Sequence, residues 1–188
     1  AGLSHDVPSD LGDPLLNCWI LAWNGRHLLR LLGGDLTALA DVWHTNIFHP
    51  ARYTLALSEL LATQSVLGLP VYAATGNSLL TYNLLFLAAF VLAGLGMFLF
   101  VRAITADWRA AFIAGLLFAF TPYRINQAPH LQVMWSCWMP FVLLGLRRYF
   151  DATTRAGDAG WGPRPPRPIR PALALAGAGL ALVAQNLS

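Results

Sequence analysis

The chain has 188 residues, of which 56% are hydrophobic and 11% are charged, and its mean hydropathy is +0.53. An average globular domain carries about 25% charged residues, so this composition excludes a disordered chain and disfavours an ordinary water-soluble domain. The net charge of +3 is small and arises in one arginine-rich stretch, which makes binding to nucleic acid a poor interpretation.

The first predicted element is a helix that begins at Asp13-Pro14. Aspartate is a favoured N-cap residue and proline suits the first helical position. The helix is expected to run to Leu32 and to end at Gly33-Gly34, because glycine commonly follows the last turn. Residues 1–77 precede the first complete membrane span, so this helix belongs to an extracytoplasmic segment.

A narrow polar stripe runs along this first helix. Asp13, Asn17, Asn24 and His27 follow one another at helical spacing, while tryptophan and leucine cover most of the remaining surface. A helix with one polar face and a large apolar face is typical of the membrane interface. We therefore expect it to lie along the membrane surface.

The second predicted helix spans Thr54 to Leu69 and is closed by Pro70. Glu59 is its sole acidic residue. The segment is too polar for a confident membrane span, so we interpret it as a second interfacial helix. The alternative is that 54–70 crosses the membrane, which would invert the orientation of the first loop.

Residues 78–188 contain apolar segments that predict transmembrane helices. Leu84 to Val101 carries no polar side chain, and about 20 apolar residues suffice to cross the hydrocarbon layer. Pro140 is expected to kink the third segment. Each shorter segment alone could be a core helix of a soluble protein, but four in succession favour an all-α, multi-pass transmembrane bundle. The predicted spans are 79–101, 109–123, 132–148 and 171–186.

Arginine positions orient the predicted bundle. The loop 149–170 is rich in arginine and proline, so the positive-inside rule places it in the cytoplasm. Alternation along the spans then places residues 1–77 and the loop around 124–132 on the outer face. The chain starts in a polar loop and stops inside an apolar run. We therefore expect it to be a fragment that works with missing transmembrane segments of the same protein.

Five segments between about residues 12 and 148 are distinctive as a set: "DPLLNCWILAWNGRHLL", "NIFHP", "TLALSELL", "TGNSLLTYNLLFLAAFVLAGLGMFLFVRAIT" and "FAFTPYRINQAPHLQ". They resemble bacterial multi-pass proteins described as GT-C-like or as uncharacterised membrane proteins. GT-C glycosyltransferases are multi-pass enzymes that take sugars from polyprenyl-phosphate donors on the outer membrane face. The resemblance implies a bacterial inner-membrane protein whose partners are membrane lipids and a polyprenyl-phosphate sugar. In this family a carboxylate in the first outer loop acts as catalytic base or metal ligand, and Asp13 occupies that position.

The resemblance and the predicted orientation together define a candidate site. Asp13 and Glu59 are assigned as catalytic carboxylates, since a carboxylate can deprotonate an acceptor hydroxyl. Asn17, Arg124, His130 and Gln132 are assigned to substrate binding, with Arg124 and His130 on the phosphate. Many family members carry two nearly adjacent acidic residues, whereas the nearest partner of Asp13 is Asp10. A divalent cation therefore stays an open question, and no metal ligands are assigned.

Other interpretations of the same residues stay open. Asp13 could serve only as an N-cap, Arg124 could be an interfacial anchor, and His130 could be a loop residue bonded to the backbone. At the level of function, the alternatives are a non-catalytic multi-pass membrane protein and a transporter of lipids or small solutes. A transporter would place its polar residues halfway across the membrane.

Overall fold

A computed structural model describes residues 2–8, 11–153 and 170–188 of the chain. The fold is all-α, with 73% helix and no strand among the described residues, as the sequence predicts. Asp10 and most of the predicted cytoplasmic loop 149–170 lie outside the described residues. The elements, in chain order, are α1 (Asp13–Leu32), α2 (Ala38–Asp41), a 3₁₀ turn (Thr54–Leu57), α3 (Ala62–Thr75), α4 (Ser78–Thr105), α5 (Trp108–Ala119), α6 (Pro122–Asn126), α7 (Leu131–Met134), α8 (Trp138–Thr153) and α9 (Pro171–Asn186).

The chain divides into two compact units. The first comprises the chain up to Ala88, residues 127–133 and Leu187–Ser188, and the second comprises Ala89–Asn126 and Met134–Asn186. In the first unit, α1 packs closely on α3 because Gly25 leaves room for the ring of Tyr72. A Cβ atom on Gly25 would lie 2.6 Å from Cδ1 of that ring.

In the second unit, small residues allow the helices to pack closely. Gly115 of α5 lies against the backbone of Gly94 in α4, where an added Cβ on Gly115 would lie 2.7 Å from the Gly94 carbonyl oxygen. Gly145 of α8 lies against Ala178 of α9 in the same way. Small residues at helix contacts permit this close approach of two backbones.

α1 buries polar as well as apolar side chains, the apolar ones being Cys18, Ile20 and Leu21. Its polar residues Asn17, Asn24 and His27 are buried in the first unit, whereas Leu15, Leu29 and Leu32 are exposed. The bounds of α1 match the prediction. The polar stripe of the sequence faces the protein, apart from the half-exposed Asp13.

The second predicted helix differs in position from the observed one. Thr54–Leu57 forms a short 3₁₀ turn, and α3 starts only at Ala62. Pro70 lies inside α3, which continues to Thr75 and ends at Gly76 with a φ of 64°. The prediction that Pro70 closes the helix is wrong, because packing against α1 outweighs the one backbone hydrogen bond that a proline removes. Glu59 consequently lies in an irregular linker.

Of the four predicted spans, only α4 is long and apolar enough to cross a membrane among the described residues. The segment predicted as 109–123 forms a 12-residue helix that stops at Ala119. The segment predicted as 132–148 is divided into α7 and α8. Pro140 lies in the first turn of α8, where a backbone N–H would have no intrahelical partner. α9 matches 171–186 but has only 16 residues.

Candidate functional site

Asp13 is the first residue of α1, and its carboxylate does not cap the helix. The N-cap position is occupied by Gly12, which has no side chain that could cap the helix. The prediction that Asp13 is the N-cap is therefore wrong by one residue. This shift has a chemical consequence, because the carboxylate oxygens are not used by the backbone N–H groups of the first turn.

His130 contacts this carboxylate. Its Nε2 atom lies 2.9 Å from Oδ2 of Asp13, and the two side chains are 38% and 49% exposed. A hydrogen bond from the His130 N–H to the Gln127 carbonyl, and one from Val133 to the His130 carbonyl, form the turn that holds the ring. The other ring nitrogen, Nδ1, is buried without a partner among the described residues. His130 therefore faces Asp13 through Nε2 alone.

Asn17 lies one helical turn after Asp13 and is only 1% exposed. Its side-chain amide approaches the carbonyl oxygen of Pro129 at 3.5 Å, the outer limit of a hydrogen bond. The amide therefore ties α1 to the residue that precedes His130. This placement indicates a supporting role beside the Asp13–His130 pair rather than a surface available to a substrate.

Glu59 and Gln132 form a second contact with the same segment. The Gln132 amide donates to Oε1 of Glu59 at 3.1 Å, and the Ser58 hydroxyl donates to Oε2 at 3.1 Å. Both carboxylate oxygens of Glu59 thus accept a hydrogen bond from the protein. Ser58 was not selected from the sequence, and only its position beside Glu59 could have indicated it.

Five of the six predicted site residues therefore lie in or contact segment 127–133 of the first unit. Asp13 and Asn17 meet it from α1, and Glu59 meets it from the linker before α3. His130 and Gln132 belong to the segment itself. The two candidate carboxylates are each bonded to a different residue of one short stretch of chain.

Arg124 belongs to the second unit, where it is 3% exposed. Its guanidinium donates to the carbonyl oxygens of Ala119, Ala89 and Met134 and to the hydroxyl of Ser136. Burial lowers the pKa of this guanidinium. Four of its five N–H groups are thus used within the protein, so Arg124 offers no open fork to a phosphate in this arrangement.

The described residues offer few ligands for a metal ion. In the ranges that the structure describes, no three side chains of histidine, cysteine, aspartate or glutamate lie close enough together to hold a metal ion. Asp13 has His130 beside it, and a pair of this kind is too small for a dedicated cation site. We therefore derive no chemical step through a metal.

Comparisons with protein families, with curated proteins and with solved structures find no match to this chain. The likeness to GT-C enzymes thus depends on the sequence segments quoted above.

Proposed function

We propose that the chain is the donor-side part of a GT-C-like membrane glycosyltransferase in a bacterial inner membrane. It would transfer a sugar from a polyprenyl phosphate to an acceptor hydroxyl at the outer face. The observation that carries the proposal is the contact between Asp13 and His130 at 2.9 Å. A half-exposed carboxylate held by an imidazole is a suitable general base.

The chemistry assigned to Asp13 uses its second oxygen. His130 donates from Nε2 to Oδ2, and Oδ1 has no partner within the described part of the chain. Oδ1 would accept the proton of the acceptor hydroxyl as that oxygen attacks the anomeric carbon. The bond from carbon to phosphate oxygen breaks, and the polyprenyl phosphate leaves with the electron pair. General-base catalysis of this kind contributes about 10²–10⁴-fold in rate.

His130 is assigned here as a positioning residue rather than a phosphate ligand. Its Nε2 atom is used by Asp13, and its Nδ1 atom is buried. An imidazole bonded in this way fixes the direction of the carboxylate. A protonated imidazole also offsets part of the negative charge of the carboxylate. The proposal assigns no phosphate contact to Arg124, since protein acceptors surround that guanidinium.

The membrane location is supported by the surfaces of two helices. α4 has 28 residues and a mean hydropathy of 2.7 over its most apolar window. α1 exposes Leu15, Leu29 and Leu32, and an apolar surface of this kind suits a helix that contacts lipid. We propose that α4 crosses the membrane as part of a multi-pass bundle. The paired helices α8 and α9, each about 24 Å long, would accompany it.

The test is turnover of a labelled polyprenyl-phosphate sugar by the intact protein in membranes. Asp13→Asn should lower transfer or donor hydrolysis by at least about 100-fold while membrane insertion and expression stay unchanged. Asp107→Asn is the matched control, because Asp107 caps α5 through its side chain and asparagine also caps. Transfer retained by Asp13→Asn would remove Asp13 from the mechanism.

A non-catalytic membrane protein is the second candidate, and one observation favours it. The polar side chains of Glu59 and Gln132 are bonded to each other, and Asp13 is bonded to His130. Such pairs could serve only to hold segment 127–133 in place. Wild-type protein that neither transfers nor hydrolyses any labelled donor would favour this candidate. Transport has less support, since the groove along the middle of α4 is lined by apolar residues and glycine.

A further inference from the structure

A second candidate site lies in the first unit, in the C-terminal half of α1. A cavity of about 210 Å³ opens between α1, α2 and the start of α3. Its polar wall starts at Asn24 and His27, which follow Asp13 by 11 to 14 residues, or about 16–21 Å along the helix. The cavity is thus separate from the Asp13–His130 pair. Most of its wall is apolar and comes from Leu28, Leu31, Leu39, Val42, Leu60 and Val66.

His27 supplies the polar group that gives this cavity a chemical preference. The side chain is 7% exposed, and its Nδ1 atom lies 2.8 Å from the carbonyl oxygen of Trp23. Because a carbonyl can only accept, Nδ1 carries the proton, and Nε2 of the neutral ring is an acceptor. Nε2 has no partner among the described residues, and the ring lies in a tilted contact with Trp23, with the ring centroids 4.6 Å apart. The outward edge of the ring therefore presents a lone pair to the cavity.

The other polar groups of the cavity wall leave this acceptor without a donor. Asn24 donates through Nδ2 to the Leu60 carbonyl at 2.7 Å and to the Ser65 hydroxyl at 3.0 Å. Ser65 in turn donates to the Leu61 carbonyl. Among the residues that the structure describes, no carboxylate or arginine lines the cavity. An occupant must therefore bring a neutral hydrogen-bond donor and an apolar body.

We propose that this cavity binds the hydroxyl end of a single-chain aliphatic alcohol, with the hydroxyl donating to Nε2 of His27. The size supports one chain, because 210 Å³ lies below the range of about 300–1,000 Å³ that is usual for drug-sized ligands. Charged head groups are disfavoured, since an anion would face a lone pair and a cation would find no carboxylate. The proposal does not depend on glycosyl transfer.

The test compares two isomers, 1-decanol and methyl nonyl ether, which differ in whether the oxygen carries a proton. Trp43 lines the cavity, so the intact protein is labelled with 5-fluorotryptophan and its ¹⁹F NMR signal is assigned with Trp43→Phe. At equal mole fractions in detergent, decanol should shift this signal saturably, with about tenfold tighter binding than the ether. His27→Phe should bind both isomers equally.

A second variant guards against misfolding of the first. Ala62 lines the cavity at the start of α3, and Ala62→Phe should fill the space and abolish the shift with both isomers while the other tryptophan signals stay in place. The proposal is overturned if decanol leaves the Trp43 signal unchanged, if the ether binds as tightly as decanol to the wild type, or if His27→Phe keeps the preference for the alcohol.

Discussion

Nε2 of His130 lies 2.9 Å from Oδ2 of Asp13, and this contact joins the first residue of α1 to segment 127–133. It exists because Gly12 rather than Asp13 caps the helix. A side chain that caps a helix points back at backbone N–H groups, whereas Asp13 is directed at a neighbouring segment. The same segment also contacts Glu59, which accepts a hydrogen bond from Gln132.

The Glu59–Gln132 contact should control the order of segment 127–133. Glu59→Ala removes the acceptor and should raise amide hydrogen exchange in 127–133, because Gln132 loses its side-chain partner. Glu59→Gln keeps a carbonyl acceptor and should leave exchange close to wild type. Equal exchange in Glu59→Ala and the wild type would show that this contact does not order the segment.

Gly25 should be irreplaceable at the contact between α1 and α3. Gly25→Ala places a methyl group 2.6 Å from a ring atom of Tyr72, and overpacking of this kind costs about 1–3 kcal/mol. The expected result is a lower thermal midpoint in detergent, partly restored by adding Tyr72→Leu. Gly177→Ala is the control, because open space surrounds Gly177 within α9, and its midpoint should stay the same or rise.

Gln64 should be replaceable with a gain in stability. It is 0% exposed, and neither side-chain polar atom has a partner among the described residues. Since a buried unpaired polar group costs about 1–3 kcal/mol, Gln64→Met should raise the thermal midpoint. Ser65→Ala should lower it, because Ser65 bonds to Asn24 and Leu61. A loss of stability in Gln64→Met would indicate that the amide has a partner in the working protein.

Asp35 should make the end of α1 sensitive to acid. Hydrogen bonds from Thr37 and Arg30 lower the pKa of Asp35 below its usual 3.8. A carboxyl whose folded pKa is depressed stabilises the fold above its unfolded pKa, and that contribution is lost as the pH falls through the folded pKa. The thermal midpoint of Asp35→Asn should therefore lie below that of the wild type near pH 6.

The two midpoints should converge as the pH drops below 3.8. Thr37→Val removes the first of the donors and should show a smaller acid-dependent loss than the wild type. A gap between wild type and Asp35→Asn that stays constant down to pH 2 would contradict the assignment.

The sequence predicts the helices better than it predicts their surroundings. The bounds of α1 and α9 follow from Asp13-Pro14, Gly33-Gly34 and Pro171, which are local signals for starts and stops. Local signals do not predict that the polar residues of α1 face the interior of the first unit. Whether Asn24 and His27 face water or protein depends on which segments cover them, and local periodicity carries no information about that.

The sequence predicts the residue types of the candidate site but not the arrangement of all its members, which depends on which segments pack together. Its residue types were recognised because carboxylates and a histidine were expected on one face of the membrane. The sequence also predicts that Arg124 binds phosphate. In the structure its guanidinium is buried among carbonyl oxygens of its own unit. The cavity beside His27 was missed altogether, because it depends on the rotation of α1 against α2 and α3.

The central claim is that Asp13 is the base and that His130 acts only by positioning the Asp13 carboxylate. A double-mutant cycle on turnover of labelled polyprenyl-phosphate sugar tests this claim most directly. Asp13→Asn, His130→Gln and the double variant are compared in the intact protein. If His130 works only by holding the Asp13 carboxylate, the double variant should be no slower than Asp13→Asn alone. Losses that multiply across the two sites, or a wild-type rate in Asp13→Asn, would contradict the account.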